Sequence, residues 1–319
     1  MPNVLILGGT GYIGNAIAKS LVQSGNYKVW GTALTAEKAK QVTMNEILPV
    51  EVDITDPAAL SQIIIDNSIN VVVDVSSAYQ QASSILEGVI QAATETQEYL
   101  RNECVISPKL GFMYASGAWV YGSPKTRVND LAPVGSVISQ DKSAAPVSWR
   151  PSYKQAILAA RDKLVVAILR PHTIYRRGSW VFGTWWNPLA EAAKSGSKSP
   201  VKIPVDATAR PGLVHVDDVA AGFYAAIDRI DGRLGEWPVF NILTETLPLT
   251  TFLDATKVAM GVDAPIKYTG PDGNPFFEAL SLASNSDASR AKSVLEWSPK
   301  RTDILFNLPI YVEAWKASQ

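Results

Sequence analysis

The stretch Val4-Leu5-Ile6-Leu7-Gly8-Gly9-Thr10-Gly11-Tyr12-Ile13-Gly14-Asn15-Ala16 decides the fold. Its four apolar residues read as a buried strand, its glycines as a turn, and Tyr12–Ser24 as a helix stopped by Gly25. Gly8 permits a tight turn, Gly11 lets the backbone approach a pyrophosphate, and Gly14 lets helix and strand pack closely. The free N–H groups and positive end of the helix then face the anion. Strand, turn and helix without a gap point to dinucleotide binding; the alternative is a turn that uses glycine for packing alone.

Working outward, the same alternation continues. Short runs rich in Val, Ile, Leu and aromatics (Lys28–Thr32, Pro49–Val52, Val71–Val75, Gly111–Ala115 and Val165–Leu169) alternate with helix-like segments. These are Glu37–Met44, Pro57–Asn67, Ser83–Arg101 and Trp149–Arg161. Asp56-Pro57 reads as a helix start. Apolar strands separated by helices predict a doubly wound, parallel α/β sheet of the Rossmann type, covered on both faces. The pattern fails at Ser123–Ser148, rich in Pro, Ser, Gly and Asp, which reads as a long functional loop. It fails again after Gly178. The expected division is a dinucleotide-binding domain over 1–178 and 213–243, with a smaller C-terminal substrate lobe over 179–212 and 244–319.

Composition narrows the function. The 319 residues carry 29 basic and 30 acidic side chains, a net charge of −1, which argues against a nucleic-acid or acidic-membrane binder. One cysteine, Cys104, and two histidines, His172 and His215, leave no metal-ligand spacing, so no metal is expected. No run approaches the roughly 18 apolar residues of a membrane span, and Val4–Leu7 is too short for a signal-peptide core. The expected location is cytoplasmic. Acid–base chemistry must fall to Tyr, Lys, Ser, Asp or Glu.

The spacing Gly8-x-x-Gly11-x-x-Gly14 resembles the extended and atypical short-chain dehydrogenase/reductases, the superfamily of NAD-dependent epimerases and dehydratases. Val50-Glu51-Val52-Asp53-Ile54, Val73-Asp74-Val75-Ser76-Ser77, Val120-Tyr121-Gly122, Leu169-Arg170-Pro171 and His215-Val216-Asp217-Asp218-Val219 are similar to landmarks of its extended branch, in order, over residues 3–230. The resemblance implies cofactor contacts from Gly8, Thr10, Gly11, Tyr12, Ile13 and Gly14. It implies others from Asp53 and Ile54 at the adenine, from Val75, Ser76, Ser77 and Ala115 along the sheet edge, and from Pro171 and His172 beside the nicotinamide. NAD enzymes of this type place an acid at the end of the second strand to hold the ribose 2′-hydroxyl. Here no acid precedes Glu37, and Thr32, Thr35 and Lys38 are nearby, which favours NADP(H) over NAD(H).

Catalysis in the superfamily uses a Tyr, a Lys four residues on, and a Ser or Thr on the fifth strand. Tyr121–Lys125 is the single Tyr-x-x-x-Lys match, but Gly122 and Pro124 break it. The helix leading into Val165–Arg170 should carry the pair and reads Arg150-Pro151-Ser152-Tyr153-Lys154, with Ser148 as its cap and Ile157 where the Lys would follow Tyr153. Counting back from Arg170 places the usual Lys near Arg150, which can share a face with Tyr153 and Lys154. The Ser/Thr position falls on Gly117, with Ser116 one residue early. Tyr153 reads as proton donor or packing residue, Ser116 as a cofactor-side or merely buried hydroxyl, and Arg150 as a clamp or a solvated helix end. His215 reads as scaffold, with Asp217 capping the next helix. Trp180, Phe182, Trp185 and Trp186 read as core or as the wall of an apolar pocket.

The resulting expectation is an NADP(H)-dependent reductase with an atypical site, acting on a small, largely apolar or aromatic carbonyl or C=C substrate, with an oligomer open. Two alternatives stand: a non-redox isomerase, lyase, cyclase or epimerase on the same fold, and a dinucleotide-sensing regulator without catalysis.

Overall fold

The computed structural model describes residues 1–176 and 178–318. Its strands are β1 (Asn3–Leu7), β2 (Lys28–Thr32), β3 (Leu48–Val50), β4 (Val71–Asp74), β5 (Gly111–Ala115), β6 (Val165–Pro171), β7 (Thr173–Tyr175), β8 (Val201–Ile203), β9 (Gly212–His215), β10 (Val239–Ile242), β11 (Glu245–Thr246) and β12 (Ile266–Tyr268). The helices are α1 (Tyr12–Ser24), α2 (Ala36–Thr43), α3 (Pro57–Asp66), α4 (Ala82–Asn102), α5 (Arg150–Ala159), α6 (Trp180–Ser195), α7 (Val216–Asp228), α8 (Leu249–Met260), α9 (Pro275–Leu280), α10 (Ser289–Val294) and α11 (Ile304–Lys316).

Seven strands form one sheet in the order β10-β6-β5-β4-β1-β2-β3, and every pairing in it is parallel. The order reverses between β1 and β4, so a crevice opens at the carboxyl ends of those two strands, where such sheets bind ligands. One face is sealed by Ile17, Leu21, Val219 and Phe223 of α1 and α7, the other by Leu60, Ile85, Val89 and Ile157 of α3, α4 and α5. Both faces being apolar explains why the strands lack polar alternation. The expected helix signals at Gly25 and Asp56 hold: Gly25 closes α1 at φ 69°, and the Asp56 carboxylate accepts from the backbone N–H groups of Ala58 and Ala59.

Past β6 the chain builds two small sheets, β11-β9-β7 and β12-β8. A second core forms from Phe182, Trp185, Trp186, Phe252, Leu308 and Trp315, on α6, α8 and α11. The segment 288–297 departs from the expected lobe. Ala291, Leu295 and Trp297 pack with α1 and α7 on the sheet, because the Trp297 indole donates to the Asp218 carbonyl and the Asp218 carboxylate accepts from the N–H groups of Lys300 and Arg301. Residues 123–148 are largely irregular, as expected, and Val120, Tyr121, Val128, Val134 and Val147 form a small core beneath them. Asp130, 0% exposed, fixes this loop by pairing with Arg290 and accepting from the Asn241 N–H. Among the described residues no helix is long and apolar enough to cross a membrane.

Candidate active site

The turn after β1 is shaped by what it lacks. Gly8 sits at φ 86°, and the Gly11 N–H donates to the Gly8 carbonyl at 2.9 Å. A Cβ on Gly14 would lie 2.1 Å from the Gly8 oxygen, and one on Gly8 would lie 3.1 Å from both the Ser76 Cα and the Val75 oxygen. Only glycine lets α1, the turn and the end of β4 close to this distance. Gly11 begins α1 without a side-chain cap, so the positive end of the helix is left to meet an anion. The cradle fits the pyrophosphate of a dinucleotide, with Thr10 half-buried beside it.

The adenosine end is less committed. The Thr32 hydroxyl accepts the Gly8 N–H at 3.0 Å, and Thr35 caps α2 by accepting the Lys38 N–H. Both hydroxyls therefore already have structural partners; Thr32 is buried, while Thr35 and Lys38 are exposed. Asp53 is exposed; hydrogen bonds from the Thr55 hydroxyl and N–H hold its carboxyl below the usual range. Ile54 packs on the α3 side of the core. Val75, Ser76, Ser77 and Ala115 follow the ends of β4 and β5, with the Ser76 N–H donating to Asp74.

From Tyr12 and Ile13 a cavity of about 410 Å³ runs past the ends of β5 and β6. Ser116, Gly117, Arg150, Pro171 and His172 line it, together with Tyr79, Trp119, Trp149, Trp180 and Phe276. Arg150, first residue of α5, reaches back over the rings of Tyr79 and Trp149, each 5.6 Å from its guanidinium carbon. A Cβ on Gly117 would lie 2.8 Å from the Arg150 Nη1, so the missing side chain makes room for the guanidinium.

Tyr153 and Lys154 are placed elsewhere. Tyr153, 5% exposed, packs on Tyr114 with ring centroids 4.9 Å apart; its hydroxyl has no partner among the described residues, and burial pushes its pKa well up. Lys154 is buried with its ammonium 5.8 Å from the Trp237 ring, and burial, then Arg170, lowers its pKa. Neither lines the cavity. The proton-donor role considered for Tyr153 thus gives way to packing: one turn into the helix its ring faces the sheet, whereas Arg150 extends beyond the helix end. The expected cap Ser148 is also displaced. Trp149 occupies the cap position without a side-chain bond, after a short helical turn at Ala145–Val147.

Pro146 stands four residues before Arg150 and lines the cavity. The count back from Arg170 puts the superfamily's Lys near Arg150 and its Ser/Thr at Gly117, and four residues before Arg150 the chain has Pro146. Tyr121 also reaches the cavity, but its hydroxyl donates to the Asn241 side chain at 2.8 Å and accepts from Arg170 at 2.6 Å, a scaffold role. His215 itself caps α7 by accepting the Asp217 N–H, and Asp217 instead pairs with Arg176. Phe182, Trp185 and Trp186 are core, while Trp180 stacks on Phe276 at the cavity edge and is 65% exposed. Sequence reading missed Tyr79, Trp119 and Phe276. Tyr79 lies two residues beyond the Ser76-Ser77 landmark, whereas nothing in the sequence ties Phe276 to this cavity. A second, polar cavity shares Ser284 and Ser286 with the first and carries Lys125, Arg127 and Arg210. Among the described residues no cluster of His, Cys, Asp or Glu could hold a metal.

Comparison with known proteins agrees with the fold. UDP-glucose 4-epimerase of Bacillus subtilis is 23% identical, covering 93% of this chain and 92% of its own length; the Caenorhabditis elegans UDP-glucose 4-epimerase is 23% identical over 92% and 94%. The dTDP-glucose 4,6-dehydratase of Bacillus anthracis in complex with NAD superposes with a TM-score of 0.75 at 18% identity, covering 100% of this chain and 98% of that one. The UDP-glucuronic acid 4-epimerase of Bacillus cereus, in complex with UDP-glucuronic acid and NAD, gives 0.70 at 17% identity, covering 99% and 100%. The profile of the NAD dependent epimerase/dehydratase family matches residues 4–242, and the chain belongs to that family.

Proposed function

We propose that the chain binds a nicotinamide dinucleotide along the Gly8–Gly14 turn and uses Arg150, in place of a Tyr/Lys pair, to exchange hydride with a compact, mostly apolar carbonyl compound. The observation that carries this reading is the Arg150 guanidinium in the cavity at Gly117, facing walls of Tyr79, Trp119, Trp149 and Phe276. When bound, the dinucleotide supplies or accepts the hydride. The Arg150 guanidinium offers its N–H donors to the negative charge on the substrate oxygen and serves as electrostatic stabiliser, not as base. Ser116, which lines the same cavity, donates its hydroxyl to the same oxygen in this reading, and water delivers the proton. The absence of an acid before Glu37 and the exposed Lys38 support NADP(H); the similar solved structures contain NAD.

The test is a panel of aryl and cycloalkyl ketones with NADPH and with NADH. We expect cofactor oxidation that depends on the ketone and is lost in Arg150→Ala; no turnover across the panel by dinucleotide-loaded protein would sink the reading. A second reading, epimerisation or dehydration of a nucleotide sugar, is favoured by the Lys125–Arg127–Arg210 cavity and by the activities of the relatives. Interconversion of UDP-glucose and its 4-epimer by the NAD-loaded chain would establish it.

A further inference from the structure

In a wall that is mostly apolar, a polar atom without a partner marks a contact that the protein does not make for itself. His172 supplies one. It follows β6, is 7% exposed and lines the cavity, and its backbone N–H donates to the Ile242 carbonyl at 3.1 Å. Its Nδ1 lies 3.3 Å from the Ser284 hydroxyl, while Nε2 is buried with no hydrogen-bond partner among the described residues. Room for the ring is made by Gly212: a Cβ there would fall 2.4 Å from Nδ1 and 2.8 Å from the Leu243 Cδ1. Three separate segments, after β6, at the start of β9 and at Ser284, therefore converge on holding one imidazole.

We propose that His172 is a specificity-determining residue that presents Nε2–H, as a neutral imidazole with Nδ1 accepting from Ser284, to a second oxygen of the substrate. Arg150 approaches the end of β6 from the β5 side, at Gly117, and His172 from the β9 side, at Gly212. A ligand that satisfies both is a compact apolar molecule with two oxygen functions, such as a hydroxyketone. Burial holds the imidazole pKa down to about 3, so the ring stays a donor and is a poor base. The inference rests on the reading of the cavity as a carbonyl site and names its substrate class more narrowly.

Only two histidines are present, so imidazole ¹⁵N spectra of the full chain are readable, and His172→Gln assigns them. Without ligand we expect His172 to be the Nε2–H tautomer and unprotonated from about pH 8 to about pH 5, with Ser284→Ala shifting it toward Nδ1–H. With dinucleotide bound, 2-hydroxycyclohexanone should shift the His172 signals and bind about tenfold tighter than cyclohexanone. His172→Phe should erase that preference and His172→Gln retain part of it. An Nδ1–H tautomer, protonation near pH 6.5, or an unchanged preference in His172→Phe would overturn the assignment alone. Binding of neither ketone to dinucleotide-loaded protein would remove the carbonyl reading and this assignment with it.

Discussion

The Gly8–Gly14 turn and the first turn of α5 lie on either side of the same cavity, yet they are built on different principles. At the turn the contacts are backbone to backbone: Gly14 against the Gly8 carbonyl, Gly8 against Ser76, and a start of α1 that no side chain caps. At α5 everything depends on which side chain points where, with Arg150 in the cavity and Tyr153 in the core three residues later. A site made of backbone keeps its geometry for any reaction that needs a dinucleotide. A site made of side chains can be rewritten one residue at a time, and Pro146, Arg150 and Gly117 are such a rewriting.

The sharpest way to break the first half of the comparison is Gly14→Val. Its Cβ would overlap the Gly8 carbonyl, and relieving that overlap costs about 3 kcal/mol. Calorimetry should show dinucleotide affinity reduced at least about 100-fold, since the α1 N-terminus withdraws from the anion. On the α5 side, Arg150→Ala should reduce kcat/KM for any ketone turned over by about 100-fold, with Arg150→Lys recovering only part, because an ammonium lacks the planar fork. Tyr153→Phe is the control that distinguishes the two faces of α5. It removes a buried hydroxyl that has no partner, so activity should change less than about threefold and stability should rise by about 1 kcal/mol in urea melts. A loss of turnover as large as that of Arg150→Ala would return the proton-donor role to Tyr153.

Asp74 gives a pH test of the polar ground between these regions. Burial, the largest influence, raises its carboxyl above the ordinary value of 3.8, against the opposing Ser76 hydrogen bonds and Arg150. The folded chain then holds this proton more tightly than the unfolded chain. The resulting stabilisation is present below 3.8 and is lost as pH rises through the raised folded pKa. Asp74→Asn, neutral at every pH, should melt higher than the parent at neutral pH, with a smaller fall between acid and neutral pH; an identical pH profile would remove Asp74 from this account. The smallest expected effect is at the adenosine end. Lys38 is exposed, so Lys38→Ala should weaken NADP⁺ by about threefold in a binding titration and leave NAD⁺ unchanged. Equal effects on both would remove Lys38 from the reasons to prefer NADP(H).

The sheet was legible because its signals are local. β2 and β5 match the expected runs residue for residue, and α1 spans Tyr12–Ser24 as its glycine stop implies. The roles along α5 were not legible, because spacing says which residues share a helix face but not which face meets the sheet. The i,i+3 spacing of Arg150 and Tyr153 left the phenol as proton donor or packing residue; the structure begins the helix at Arg150 and buries that ring against Tyr114. The cap of α7 was misplaced for a similar reason. A His and an Asp two residues apart can both reach the first free N–H groups, and Arg176, far away in sequence, takes the Asp.

By itself the sequence determined the parallel sheet, the glycine turn and the absence of a Tyr/Lys pair in register, because strand burial, tight turns and i,i+4 spacing are properties of short windows. Tertiary structure alone decided what fills the gap. Arg150 meets Gly117, Trp180 meets Phe276, and His172 meets Gly212 and Ser284 only when segments far apart in the chain come together. Such contacts follow from packing across elements, and no periodicity along the chain records them.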